Sequence, residues 1–363
     1  MGGGVWVATR ATIDVVLSEW FNLGDDPYYG DFMAYLPEAY VKNDRGGDRH
    51  FYVDDGELER NVYEDRWDQF LAGIQHSHRF FNTQAREFLE SIFGFVSGGD
   101  GALKPEVVRE LKRGEMLFRA RSVNGYDAAK AIKAAPAKQL GPAPKEMAGS
   151  QRMTPSGISA LYCALDRQTC LSEIRSITGD SVVSGALTPT SSLKLLDLTQ
   201  LAGAEPPTLT VFDPGYLDGM HLKTFVRSVV KKMSRPRGRN DELSYLSTQV
   251  VFEFLRLRFV GQVDGLVFPS VQTGEKGTNV VLFPEVCQIS DEQYQPPDET
   301  ERFIGEVAEV AMPIFKPEDR LAFVAGSLRF HKITAIETHA MEFERIGDMF
   351  MSDLDRERFK GYF

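Results

Sequence analysis

Cysteine is scarce: Cys163, Cys170 and Cys287 are the only three in 363 residues. Each stands in an apolar stretch, which excludes a disulfide framework or a sulfur-ligated zinc as the organising device and favours reduced, buried thiols. Histidine is also rare, at six. His76 and His78 in "HSHRFF" lack a Cys, Asp or further His at a matching distance, so they read as partly buried structural residues and no metal is expected. Long apolar runs are missing as well. No window approaches the roughly 18 residues that a membrane helix requires, and "MGGGVWVATRATIDVV" lacks the basic segment and cleavage pattern of a secretory signal. The expectation is a cytoplasmic chain with no membrane partner.

Positive charge is not in excess either. With a formal net charge of -11, wrapping of nucleic acid is disfavoured, although a local basic pocket can still hold a small anion. Phosphate-binding loops are absent: the glycines of "MGGG" and "SGGDG" lack the flanking strand and helix of a dinucleotide turn, and "GEKGTN" lacks the spacing of a phosphate loop. "RGGDRH" sets Arg45 and His50 at the arginine-to-histidine spacing of HEPN ribonucleases, but its two adjacent glycines oppose the single helix that such chemistry needs. There is no repeat, heptad run or low-complexity tract.

What is present is ample apolar material, 42% of the chain, and a length that suggests two domains. In "NVYEDRWDQFLAGIQHSHRFFNTQAREFLESIFGFV", Trp67, Phe70, Leu71, Ile74, Phe80, Phe81, Phe88, Leu89, Ile92 and Phe93 recur at helical intervals. Residues 1–112 therefore read as a mainly helical domain. It ends at the glycine-rich loop 97–104, through which few core contacts are expected to pass, so a fragment from about residue 105 is expected to fold alone. Short β-type runs follow, "EMLFRARSV", "ISALYCAL", "SSLKLLDLT" and "VDGLVFPSV", interrupted by turn-rich segments. Residues 113–295 read as an α+β domain with a mixed or antiparallel sheet. Residues 296–363 read as an appendage packing on it, with a helix or two, the strand-like "RFHKITAIETHA" and a charged amphipathic end.

The chemistry-bearing stretch is "GSQRMTPSGISALYCALDRQTCLSEIR". Alternation makes "ISALYCAL" a strand carrying Tyr162, and Asp166 is placed to cap the helix that follows. On that helix Cys170, Ile174 and Ile177 share a face, with Glu173 along its edge. Taken singly, Arg152, Tyr162 and Glu173 fit equally a solvated cation, a core aromatic and a rim charge. Ser270 after Pro269 fits a turn, and the polar face of Tyr245, Thr248, Gln249 and Glu253 fits a helix bonded to the sheet. His331 reads as a surface strand residue.

The order and spacing of several motifs between about 115 and 285 resemble the RES-domain family. They are "LFRAR" with Arg119, the Arg152, Tyr162 and Glu173 intervals, "YLSTQVVFEFLR", and "DGLVFPSVQTGEKGTNVVLF" with Ser270 and Asn279. After the central arginine this chain writes Met153 and Thr154, where many members write an aromatic residue and asparagine. The region before it, through "HSHRFFN", resembles the HEPN-like helical domain often fused to RES domains.

The resemblance implies a fold like the ADP-ribosyltransferases and an NAD-consuming activity, commonly as the toxin half of a toxin-antitoxin pair. It implies catalytic roles for Glu173, Arg152 and Tyr162 and substrate-binding roles for Arg119, Ser270 and Asn279. NAD enters as substrate, with no permanently bound cofactor. The acceptor, whether water, phosphate or a protein, stays open, as do an antitoxin or regulatory partner and a homo-oligomer. A module in which the helical domain does RNA-directed work on an inactive RES scaffold is the alternative of another class.

Overall fold

The structure, a computed structural model, describes residues 10–20, 23–24, 27–43, 45–52, 62–201, 213, 215–234, 245–296 and 315–336. A two-stranded antiparallel pair, β1 (Arg10–Thr12) and β2 (His50–Tyr52), accompanies three short helices, α1 (Ile13–Val15), α2 (Tyr29–Tyr35) and α3 (Glu38–Val41). Two longer helices follow, α4 (Val62–His76) and α5 (Thr83–Phe93). The Asn82 side chain caps α5 by accepting from the Ala85 amide at 3.0 Å.

The rest is built on one nine-stranded sheet. Its strands are β3 (Val108–Leu111), β4 (Leu117–Val123), β5 (Leu161–Ala164), β6 (Ser181–Pro189), β7 (Leu193–Asp197), β8 (Gly265–Ser270), β9 (Gly277–Leu282), β10 (Leu321–Phe323) and β11 (Arg329–Lys332). The spatial order is β10-β6-β4-β5-β9-β8-β7-β3, with β11 also on β6. All pairings are antiparallel except β7 with β8, so the expected α+β class and mixed sheet are observed. Residues 181–189 are almost wholly buried and hydrophobic or small, the pattern of a central strand covered on both faces. Helices α6 (Tyr126–Ala134), α7 (Pro136–Leu140), α8 (Arg167–Glu173), α9 (Tyr216–Ser234) and α10 (Leu246–Arg258) complete the fold.

One large buried cluster joins the helices before residue 112 to the sheet and to α9 and α10. Phe225 of α9 is fully buried and lies 5.8 Å from the Tyr63 ring, 5.9 Å from Trp67 and 6.3 Å from Phe88. Polar contacts tie the same elements: Ser228 Oγ donates to Glu64 at 2.7 Å, Lys232 pairs with Glu64 at 2.8 Å, and Arg258 pairs with Glu90 at 3.1 Å. Loop 97–104 holds no buried residue, as expected, and Leu103 is its one residue packed on the core, with its amide donating to Gln262 Oε1 at 3.0 Å. The contacts that join the two parts run instead through α4 and α5.

Several local expectations are corrected. Phe80 and Phe81 are not on a buried helical face; they occupy the turn between α4 and α5 and are exposed, Phe81 with a φ of 56°. His76 and His78 are exposed, not partly buried. Helix α8 ends at Glu173, so Ile177 lies beyond it and faces solvent. Arg45 and His50 flank a turn. In the appendage, β11 is the expected strand, β10 is an additional one, and the helix or two expected there lie outside the described residues. Among the described residues no helix is long and apolar enough to cross a membrane.

Because Phe225, Tyr63, Trp67 and Phe88 bury one another, removing α4 and α5 exposes several large side chains, each contributing about 3–5 kcal/mol when truncated in a core. A fragment starting at residue 105 is therefore expected to melt well below the full chain or to precipitate. Circular dichroism melts of both proteins check this; equal midpoints would contradict a shared core.

Candidate active site

Strands β4 and β5 pair only at Phe118 and Ala164. Just past that single pair, a cleft of about 310 Å³ opens, lined by Arg119, Ala120, Tyr162 and Cys163 from these strands. Its wall continues through Glu173, Ile174 and Arg175 at the end of α8, Gln151 and Arg152 on a loop, Tyr245 before α10, and Phe268 and Asn279. Its size lies at the lower end of ligand pockets, and its mixed apolar and charged lining is typical of them.

Glu173 is held where it is by the sheet. Its Oε1 accepts from Ser270 Oγ at 2.5 Å and from Asn279 Nδ2 at 2.7 Å. Ser270 and Asn279 are both buried, at the end of β8 and on the adjoining β9. Both bonds fall on the same oxygen, and among the described residues no donor meets Oε2. Ser270 does not itself line the cleft. It stands behind the carboxylate, so its expected hydrogen bond goes to Glu173.

The helix that delivers Glu173 is fixed along its length. Asp166 caps it as expected, accepting from the Thr169 amide at 2.8 Å and from Thr169 Oγ1 at 2.6 Å. Thr169 then lies so close to β9 that a Cβ on Gly277 would stand 2.0 Å from its Oγ1. Gly277 is thus required by close approach of α8 to the sheet.

Arg152 is carried by a braced loop. The Tyr162 hydroxyl accepts from the Met153 amide at 2.9 Å, and Thr248 Oγ1 donates to the Arg152 carbonyl. Gln249 Nε2 donates to the carbonyls of Gln151 at 2.8 Å and Thr154 at 3.2 Å, and to Ser150 Oγ at 3.0 Å. Met153 and Thr154, the next residues of this loop, are both buried. Burial pushes the Tyr162 phenol up to about 12, against the lowering effect of its hydrogen bonds from Thr154 and the Met153 amide. The ring is a neutral wall and strut at physiological pH, not a base.

Cations outnumber carboxylates here. Arg119, Arg152 and Arg175 line the cleft with Glu173, and none of the four enters an ion pair among the described residues. Arg119 Nη1 is buried without a partner, and loss of hydration lowers the guanidinium's proton affinity. An unpaired buried cation is costly, so the arrangement favours an anionic ligand. Cys163, Cys170 and Cys287 lie close enough for their charge state to be felt by Arg119. Burial nevertheless pushes each thiol up to about 12, so all three are protonated and unreactive.

The structure therefore brings Arg119, Arg152, Tyr162, Glu173, Ser270 and Asn279 to one place. It adds Gln249 and Thr248 as braces of the arginine loop, whose polar spacing on α10 was visible in the sequence, and Arg175 at the rim, which no motif marked. His331 and Glu253 do not line the cleft.

An α+β protein with a carboxylate anchored in a cationic, strand-split cleft is the class that fold and site define. The RES domain model matches residues 116–304, just over half of the chain, and the chain belongs to the RES domain family. No protein with a curated description matches it. Every residue of the cleft falls inside the matched span, and so do Ser270 and both braces.

Two expected outcomes follow from this packing. Gly277→Ala, by forcing Thr169 and α8 off the sheet, is expected to cost about 1–3 kcal/mol and to disturb the Glu173 bonds; chemical denaturation checks the loss, and an unchanged midpoint would contradict the close approach. The thiols set the second. A thiol whose folded value lies above its unfolded one stabilises the protein fully below the unfolded value, near 9, and that stability is lost as pH rises toward about 12. Each buried thiol then steepens the loss by about 1.4 kcal/mol per pH unit. Denaturation midpoints against pH should fall through this window, and Cys163→Ala should fall less steeply.

Proposed function

We propose that the cleft takes NAD and breaks the bond between nicotinamide and ribose, in a fold related to the ADP-ribosyltransferases. The observation that carries this reading is the Glu173 carboxylate, fixed through Oε1 by Ser270 and Asn279 with Oε2 open, in a cleft of unpaired arginines. Membership of the RES family, often associated with NAD-related toxin activity, supports it.

Nicotinamide departs with the bonding electron pair on its ring nitrogen, so a positive pyridinium becomes a neutral amide and no acid must protonate it. One carboxylate suffices, unlike the pair in ordinary glycosidases. Positive charge develops on the ribose as the bond breaks, and Glu173 Oε2 stabilises it, holds a ribose hydroxyl, or directs the incoming acceptor. With water as acceptor, its oxygen bonds to the ribose carbon and one proton is released. Arg152 and Arg119 clamp the diphosphate, because a guanidinium donates two parallel charge-assisted hydrogen bonds to phosphate oxygens. Tyr162 sets the angle of the ring or ribose. Ser270, behind the carboxylate, acts on the substrate through Glu173, while Asn279, which also lines the cleft, holds Glu173 and meets the substrate directly.

In this reading NAD is a substrate and no resident cofactor or metal takes part. The protein serves as a toxin or defence effector in the cytoplasm, residues 1–112 act as a HEPN-like regulatory part, and an antitoxin, a regulatory protein or a second copy supplies control. A protein acceptor turns the same cleft into an ADP-ribosyltransferase.

Incubation of the purified protein with NAD, following nicotinamide, ADP-ribose, ADP-ribose phosphate and labelled protein, tests the reading and identifies the acceptor. Glu173→Gln is expected to lower turnover by roughly a hundredfold or more while NAD still binds. Arg152→Lys is expected mainly to raise KM, since the diphosphate contact exists before and during reaction alike. Near-normal turnover in Glu173→Gln would overturn the assignment, and salt-sensitive RNA binding without nicotinamide release would favour the RNA-directed alternative.

A further inference from the structure

At the other end of α8 from Glu173, three side chains from three elements form a chain of hydrogen bonds. Arg167, the first residue of α8, donates from Nη1 to Ser184 Oγ at 2.5 Å and from Nη2 to the Ser327 carbonyl at 2.9 Å. Its guanidinium also lies over the Phe118 ring, 4.9 Å from the centroid. Ser184, fully buried on β6, meets His331 Nε2 of β11 at 2.8 Å. Ser327, in the turn before β11, accepts from the Ala186 amide of β6 at 3.0 Å.

A guanidinium only donates, so Ser184 Oγ accepts from Arg167 and keeps its single proton and a second lone pair for the contact with His331. With the imidazole neutral and its proton on Nδ1, Nε2 accepts the Ser184 proton and the relay is complete. Ser327 and His331 both lie beyond residue 304, where the family match ends.

We propose that Arg167, Ser184 and His331 form a positioning relay through which strand β11 holds α8, and with it Glu173, and that the relay opens when His331 takes up a proton. Uptake turns Nε2 into a donor, so Ser184 Oγ must turn its own proton away from it and accept from histidine and arginine together. The Ser184 proton then has no acceptor in the relay, and two cations converge on one buried oxygen. The charged groups acting on His331 are Arg167 from α8 and Arg329 from its own strand, both cations, while β6 presents only the Ser184 hydroxyl. Lys332, next in the chain, reaches instead to Ser181 Oγ. Burial first, and the two arginines after it, lower the histidine's proton affinity, so the relay is closed at neutral pH and opens under acid. The consequence for activity rests on the NAD-cleaving reading of Glu173; the consequence for α8 does not.

The full chain, wild type and His331→Gln, tests this at about pH 7.5 and about pH 5. Glutamine keeps an acceptor for Ser184 but takes up no proton. Amide hydrogen exchange, corrected for its intrinsic pH dependence, is expected to show protection of α8 and β11 falling about tenfold in acid for the wild type and not for the variant. An equal fall in both, or none in the wild type, overturns the relay regardless of enzymatic activity. Nitrogen NMR of the wild-type imidazole is a second reading that needs no variant: a bare Nε2 at neutral pH supports the relay, and a protonated Nε2 refutes it. If nicotinamide is released, the ratio of acid to neutral turnover should rise in His331→Gln; if none is released while the exchange result holds, the NAD reading fails and the relay stands.

Discussion

Two hydrogen bonds to one oxygen of Glu173 organise this molecule. Ser270 and Asn279 spend their buried donors on Oε1, and the strands that carry them, β8 and β9, sit side by side near the middle of the sheet. To bring the carboxylate there, α8 must lie flat against β9, and that needs the missing Cβ of Gly277, the Asp166 cap and the Arg167 anchor. A charge-assisted hydrogen bond is worth roughly 1.5–3 kcal/mol when made, and a buried donor left without its acceptor costs about as much. The site and the packing of the helix are consequently one structure rather than two.

The arginines set the complementary constraint. Arg119 Nη1 gives up hydration and, among the described residues, gains no hydrogen-bond partner, and the three thiols near enough to influence it are neutral. Folding carries that cost because the buried cluster around it is large, extending from the N-terminal helices through the sheet to α9 and α10. An anion arriving in the cleft recovers part of the cost, so an acidic chain can still present one locally cationic site.

Much of the site was legible before the fold was known. The intervals between Arg152, Tyr162 and Glu173 place one residue on a loop, one on a strand and one at a helix end, and the Asp166 cap marks where strand gives way to helix. Ser270 and Asn279 were legible as residues, but their bonds to Glu173 were not, since which oxygen a serine faces depends on a helix folded back from a hundred residues earlier. The sharing of one core across residue 112 was illegible, because periodicity shows that Trp67 and Phe88 face inward but not that Phe225 receives them. Phe80 and Phe81 misled for the same reason: local spacing continued the helical pattern where Asn82 starts a new helix. The relay was hidden because Arg167 and His331 are joined only through the sheet.

The dependence of function on the Glu173 anchor is tested most directly by a double-mutant cycle on nicotinamide release, using Ser270→Ala and Glu173→Gln singly and together. If Ser270 acts only through the carboxylate, its removal lowers turnover in the wild-type background and costs little once Glu173 is gone, a strongly non-additive cycle. Losses that simply add would contradict the account, because Ser270 would then act on the reaction by a route that does not pass through Glu173.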